Sequence, residues 1–463
     1  RMSKLTKALT AAAGNAGESL YVEDVFSTYL VTGTNAAVTV NNGLDLDGEG
    51  GMVWVKKRSA AGSHNLYDTE RGANNRISSN NTNAQDTKPL DFTSTGFSDF
   101  YWDNEVDYAS WSFRKAEKFF DVQTYSGNST AGRTVAHNLG VAPSMIIIKQ
   151  TTGTRRWYVW HESFALDDYL FLNQTSAIGV YGPFAYLTAA PTSTTITLAS
   201  DATVNEASNT FVAYLFASDA GGFGDDGDEN IIKCGSVTTD GSGNASVDLG
   251  FEPQWCLWKC VDAAGGNEHG NWRINDTMRG WPASSSANAF GFPSTVYANT
   301  SGAETINGVD GFIKSATGFG FGQVQANKTY IYVAIRRPMK TPESGTEVFA
   351  LQNPGYPLES NGLAYTSGFP VDWALSKEVS ATDDWIAMSR LQGAGNRLKP
   401  NTTGAEAGGI SSGTFDHMTG WYKTTSANMS WMFKRAAGFM DVVAYTGTGT
   451  NPTNFSHNLN VVP

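Results

Sequence analysis

An internal repeat constrains this chain more than any other feature. Trp111–Gly127, WSFRKAEKFFDVQTYSG, returns at Trp431–Gly447 as WMFKRAAGFMDVVAYTG, a shift of 431 − 111 = 320 residues. Each copy reads as a strand ending in a basic, aromatic run, followed by a strand opening at Phe-x-Asp-Val. Only Ala116, Glu117 and Lys118 separate the two strands in the first copy. A shift held over such a length is the mark of a repeat architecture. The joint reads as a seam between two similar β domains with almost no linker.

Further matches extend the register. His137-Asn-Leu-Gly-x-x-Pro143 and Met145-Ile-Ile-Ile-Lys149 match Val247-Asp-Leu-Gly-x-x-Pro253 and Trp255-Cys-Leu-Trp-Lys259 at a shift of 110. Asp68-Thr-Glu-Arg-Gly72 is echoed by Asp276-Thr-Met-Arg-Gly280, and Gly72-Ala-Asn-Asn-Arg76 by Gly393-Ala-Gly-Asn-Arg397. A small residue precedes a large one at Ser110-Trp111, Ala213-Tyr214, Ala334-Ile335 and Ser430-Trp431, which sets one closing strand per repeat.

These matches predict an all-β chain of tandem antiparallel β-sandwiches, Ig-like or jelly-roll-like, preceded by a short helix. The expected divisions are an anchoring segment at 1–25 and sandwiches at 26–118, 119–220, 231–340 and 347–437. An acidic Gly-rich linker at 221–230 and a short one at 341–346 separate units, and an incomplete fifth domain occupies 438–463. The fourth resembles the first, and the fifth the second. The fifth breaks off before its apolar strand, so a longer natural chain is expected. In the anchoring segment, Ser3 can cap a helix whose face carries Leu5 and Leu9, and Gly14 can stop it.

Composition agrees with this class. Charged residues are 16% of the chain, aromatics 12%, and glycines number 49. Low charge with many small polar and aromatic residues suits β-sandwiches rather than helical bundles. The net charge of −12 repels phosphate backbones, so nucleic acid is not an expected partner. No apolar run reaches the roughly 20 residues of a membrane span. Cys234, Cys256 and Cys260 are an odd set within one segment, which reads as buried free thiols.

The chemistry-bearing signals are few. Asp225, Asp226, Asp228 and Glu229 sit among glycines and form the candidate calcium loop, at a spacing unlike an EF-hand. No other cofactor is expected. His137 has no nucleophile or carboxylate placed with it and reads as a turn residue bonding to backbone. No H-E-x-x-H or phosphate-loop motif occurs, and no catalytic residues are assigned. Trp157 and Trp160 lie an odd number apart and would face opposite sides of a strand, leaving one for surface contact. The polar tract Ala73–Thr87, with Asn74, Asn75, Asn80 and Asn81, suits adaptable hydrogen bonding to a glycan or protein surface. Its counterpart 394–408 and the insert 283–311 have the same character.

Tyr125-Ser-Gly, His137-Asn-Leu-Gly-x-x-Pro143, Met145-Ile-Ile-Ile-Lys149 and Trp157-Tyr-Val-Trp-His161 resemble a repeated domain found in virion structural proteins of marine tailed phages, especially those infecting cyanobacteria. Met2–Gly17, Tyr21–Leu30 and Gly43–Gly51 are similar to the openings of such proteins. The resemblance implies a non-enzymatic virion protein, a tail fibre or appendage that contributes to host attachment. It implies other virion proteins as partners, docked through Leu5, Leu9, Tyr21 and Phe26. The polar loops make a host glycan or outer-membrane protein the expected receptor, and a homo-oligomer such as a trimer is expected, with no membrane insertion. A purely architectural capsid-decoration or connector role is the alternative. A polysaccharide-degrading tailspike is a third reading.

Overall fold

A computed structural model describes residues 19–180, 182, 186–262, 270–283, 294–306, 311–322, 324–353, 365–379, 381–393, 395–408, 413–423, 428–445, 449 and 454–463. Branched and aromatic residues alternate along short runs, and these runs form antiparallel strands throughout. Helix among the described residues is confined to single turns, at Val22–Asp24, Ala202–Asn205, Gly345–Glu347 and Arg390–Gln392. The expected helix over 3–14, with Leu5 and Leu9, lies outside the described residues.

Four units share one topology. In each, the opening strand pairs with the closing strand, the closing strand with an inner strand, and the inner strand with an outer one. The opening strands are Phe26–Thr32, Phe120–Ser126, Ile232–Thr238 and Phe349–Gln352. The closing strands are Asp107–Arg114, Thr210–Phe216, Thr329–Arg336 and Asn428–Phe433. The inner strands are Gly51–Lys57, Met145–Gln150, Pro253–Cys260 and Trp373–Glu378. The outer strands are Asn65–Asp68, Tyr158–His161, Arg273–Asp276 and Ile386–Ser389. A three-stranded sheet covers one face of each large sheet, as Ala245–Asp248, Gly318–Phe321 and Ile313–Lys314 do in the third unit. The fold is therefore all-β and sandwich-type.

The register identifies equivalent residues. Met52, Met145, Trp255 and Trp373 face Asp68, His161, Asp276 and Ser389 across the inner–outer pair. Trp54, Ile147, Leu257 and Leu375 face Trp111, Tyr214, Val333 and Trp431 across the inner–closing pair. The third unit departs from the expected spacing. Val333 rather than Ile335 occupies the Trp111 position. A slip of two residues leaves every side chain on its own face, so the small-then-large pattern does not detect it.

The units do not follow one another as separate beads, although the first and third each keep an inner cluster of their own. The second face of each of the first three large sheets is buried against the other two, in one continuous apolar cluster. Phe113 marks where they meet, with its ring 5.9 Å from Phe216 of the second sandwich and 5.5 Å from Trp255 of the third. Burial on both faces explains the unbroken apolar runs of the inner strands. Gly51–Lys57 and Met145–Gln150 are buried nearly end to end, whereas Trp373–Glu378 of the fourth unit alternates.

The seam at 116–120 is hydrogen-bonded rather than slack. Ala116 N–H donates to Phe120 O at 3.0 Å and Lys118 N–H to Leu139 O at 2.7 Å. Ala436 to Met440 and Gly438 to Leu459 repeat both bonds at the same distances. The middle residue is left-handed in each, Lys118 with φ 64° and Gly438 with φ 73°. The 221–230 stretch is likewise folded, not a free linker. Phe223 is buried, its backbone bridges to Glu229, and Gly224 N–H donates to Leu20 O at 2.8 Å. No helix among the described residues is long and apolar enough to cross a membrane.

Candidate functional site: the junctions between sandwiches

The outer strand of each ring sandwich ends at a residue that reaches the next sandwich. Asp68 accepts from Tyr214 Oη of the second sandwich at 2.7 Å and pairs with Arg71 at 2.5 Å. Asp276 accepts from Trp111 Nε1 of the first sandwich at 2.9 Å and pairs with Arg279 at 2.5 Å. His161 stands at the same place in the second sandwich. Ser163 N–H donates to its Nδ1, so Nε2 carries the proton and donates to Tyr332 O of the third at 3.3 Å. First holds second, second holds third, and third holds first. This is a closed head-to-tail ring inside one chain.

Each arginine is locked by its own loop. Arg71 and Arg279 donate their backbone N–H to Asp68 and Asp276 at 2.9 Å, and their guanidinium groups to Leu66 O and Ile274 O. That is the work of the Asp-Thr-x-Arg-Gly motif. At the third-to-first junction the network widens. Arg279 donates to Glu304, and Arg58 holds Glu304 through two bonds of 3.0 Å. Burial pushes the Glu304 carboxyl up, but Arg58 and Arg279 outweigh it and hold it below its usual range.

The segment after each outer strand crosses with the corner. Trp157 Nε1 donates to Ser78 O and Asn81 O, and Gln85 N–H to Thr151 O at 2.7 Å, which ties the first tract to the second sandwich. Ile178 N–H donates to Val261 O and Trp272 Nε1 to Phe171 O, second to third. His64 Nε2 meets Tyr297 O at 3.0 Å and Gly62 N–H donates to Ser301 O, third to first.

A lysine stands at one register position of every inner strand: Lys56, Lys149, Lys259 and Lys377. The first three are fully buried with backbone carbonyls around the ammonium. Lys149 donates to Thr82 O, Gln150 O and Gly153 O, and Lys56 to Gly302 O and Lys57 O. Burial pushes Lys149 down to about 7, and Lys56 and Lys259 to about 8. The fourth sandwich docks on the third through Glu252, which receives Lys314, Arg337 and Arg435 within 3.3 Å. Burial opposes its ionisation, yet Lys314 and Arg435 hold its carboxyl well below the usual range. A cavity of about 190 Å³ lies here between first, third and fourth sandwiches, lined by Phe26, Glu252, Met278 and Arg390 among others.

Residues 22–338 match the model of a family described as a domain of unknown function, DUF7483. The chain belongs to the DUF7483 family. The matched span opens at the turn before Phe26 and closes two residues after Arg336. The DUF7483 unit is thus the whole three-sandwich ring, not one sandwich. No curated protein and no solved structure matches the chain.

Several residues expected at the surface serve the DUF7483 ring instead. Trp157 and Trp160 are both buried, at 0% and 6% exposure, because neighbours cover both faces of this sheet. Phe26 is a core residue against Trp255, with rings 6.0 Å apart, and is not available for docking. Tyr21 donates its hydroxyl to Asp225 and lies under Lys340. The asparagine amides hold their own tract. Asn74 accepts from Leu90 N–H, Asn75 from Gln85, Asn80 from His64 N–H and Asn81 from Asn83 N–H.

The calcium candidates do not converge. Asp225 takes Tyr21 and Glu229 takes Arg336, while Asp226 and Asp228 face solvent. Among the described residues no three His, Cys, Asp or Glu side chains group to hold a metal. His137 does bond to backbone, accepting from Leu139 N–H and meeting Thr192 O at 3.2 Å. The sequence reading missed the buried lysines and Glu252. The lysines carried a signal, the same residue at one register position in four repeats. Glu252 stands where the second sandwich has Ala142, and no repeat pattern marks it.

Proposed function

We propose that this DUF7483 chain is a non-enzymatic structural protein of a tailed-phage virion, forming the body of a tail fibre or comparable appendage that contributes to host attachment. One observation supports the structural part. Three sandwiches bury both faces of their large sheets, one of the two in a shared core, which makes a rigid block. The phage part is supported by the resemblance of the repeat motifs. Virion partners and assembly into particles follow from the same reading.

The polar tracts after the outer strands are spent inside the ring, so host contact falls to its exposed hairpin tips. Thr192–Thr194 and Asp240–Ser242 are such tips. The same consumption of polar loops favours the architectural alternative, capsid decoration or a connector. Electron microscopy of virions labelled with antibody to the ring decides between them. Label on tail appendages, with cell adsorption blocked by the antibody, is the expected result. Label on the capsid selects the alternative, and particles without label sink both.

A further inference from the structure

The cavity of about 190 Å³ between the first, third and fourth sandwiches is lined by polar groups that the chain leaves unspent. Thr28, on the opening strand of the first sandwich, is 6% exposed, and its Oγ1 has no hydrogen-bond partner among the described residues. Glu23, in the turn before that strand, spends Oε1 on the N–H groups of Met339 and Lys340 at 2.7 and 2.8 Å. Its Oε2 is buried and has no partner among the described residues. Buried polar side-chain atoms are nearly always paired, so two orphans beside one cavity point to a group that the chain does not supply.

Charge and shape narrow the kind of group. Three carboxylates line the cavity, Glu23, Glu252 and Asp372, against five lysine and arginine side chains. Asp441 lies outside the lining and takes up part of Arg337 and Arg435, which still leaves one cation in excess. Lys434 is the unspent one. It lowers the Glu23 carboxyl, which burial pushes up, but its ammonium has no hydrogen bond or ion pair among the described residues. Lys314 stands in the same field. Burial pulls it down to about 8, although Glu252 holds it at 2.7 Å. Phe26, Met278 and Met418 give the cavity an apolar side. An apolar cavity of about 150 Å³ holds benzene, so a ring with one or two small substituents fits the space.

We propose that this cavity is a binding site for a small organic monoanion, a carboxylate that also carries a hydroxyl group. The carboxylate pairs with Lys434. The hydroxyl donates to Glu23 Oε2 and accepts from Thr28 Oγ1, and the body lies against Phe26 and Met278. Water can bridge the two orphan atoms, but it cannot balance the excess cation. Because three sandwiches line the cavity, the bound anion also ties the fourth sandwich to the ring. The inference is independent of the virion reading.

The test is titration calorimetry on the full chain with 4-hydroxybenzoate as probe and the neutral 4-hydroxybenzyl alcohol as control. The acid should bind at least about tenfold more tightly than the alcohol, the size of a charge-assisted contact. Lys434→Met should remove that preference. Thr28→Val keeps the shape and deletes an unpaired hydroxyl, so it should melt no lower than the parent yet bind the acid more weakly. Both variants touch groups that hold no other residue, and circular dichroism reports that each remains folded. A parent that binds neither probe at millimolar concentration overturns the proposal. Equal binding of acid and alcohol reduces the cavity to a water-filled gap, and binding that both folded variants leave unchanged places the acid elsewhere. Either result overturns it equally.

Discussion

Asp276 and Arg279 show what single residues do here. Both side chains are fully buried, and the pair also holds Trp111 and Glu304. Removing one member leaves a charge in the core without its partner. Arg279→Met should therefore cost about 3–5 kcal/mol of ring stability in urea unfolding. Asp276→Asn with Arg279→Met together should cost less than the sum. The junction histidines make the ring acid-sensitive. Burial and then Lys56 push His64 down to about 3, and burial pushes His161 down to about 4. Both stay neutral in the fold, while the unfolded chain takes up their protons near pH 6.5. The unfolded chain binds more protons below that pH. The histidines' share of stability should be full above about 6.5 and be lost through the window down to about 3–4, by a few kcal/mol per histidine. His64→Gln with His161→Gln should flatten that stretch of the stability–pH curve. An identical curve in the double variant would rule the histidines out.

At the scale of the element, the inner strand is the part that answers to its neighbours. Its lysine is an ordinary strand-end residue when one face of the sheet is open, as at Lys377. It becomes a buried ammonium once the next sandwich closes over it. Lys149 titrates at about 7 in the fold and near 10.5 when unfolded. Between those values the unfolded chain holds more protons, so stability should rise with pH through that window. Lys149→Met should remove its share of the rise. Thermal melts of both proteins from pH 6 to pH 10 read the difference directly, and parallel curves would exclude Lys149 as a source.

The whole molecule divides by how its sheets are covered. The first three sandwiches share one core, with further clusters inside the first and third, and the fourth has only a small core of its own, Tyr365, Trp421 and Met432 among its members. A shared core couples the three, and no member can lose its face without exposing the others. Calorimetry should show residues 22–338 melting in one transition, with the fourth sandwich melting apart and earlier. Three separate transitions for the ring would show that its cores act independently.

The strands, their order along the chain, the seams and the repeat units are local matters, and the sequence determined them. Alternation, turn residues and the Phe-x-Asp-Val opening act within a few residues, so they can be read one stretch at a time. The lysine at the end of each inner strand and the Asp-Thr-x-Arg-Gly motif were legible too, but only as recurring letters. Their roles depend on residues far off in the chain, such as Thr82 for Lys149 and Trp111 for Asp276. Which sheet faces meet was decided by tertiary structure alone. An apolar run such as Met145–Gln150 looks the same whether one sandwich or three bury it. That is why Trp157 and the asparagine tract read as surface and proved to be junction, and why Trp160 read as surface and proved to be core. It is also why the same register at Trp431 leaves an open face. The local pattern of the first sandwich returns there, but among the described residues no neighbouring sheet buries it.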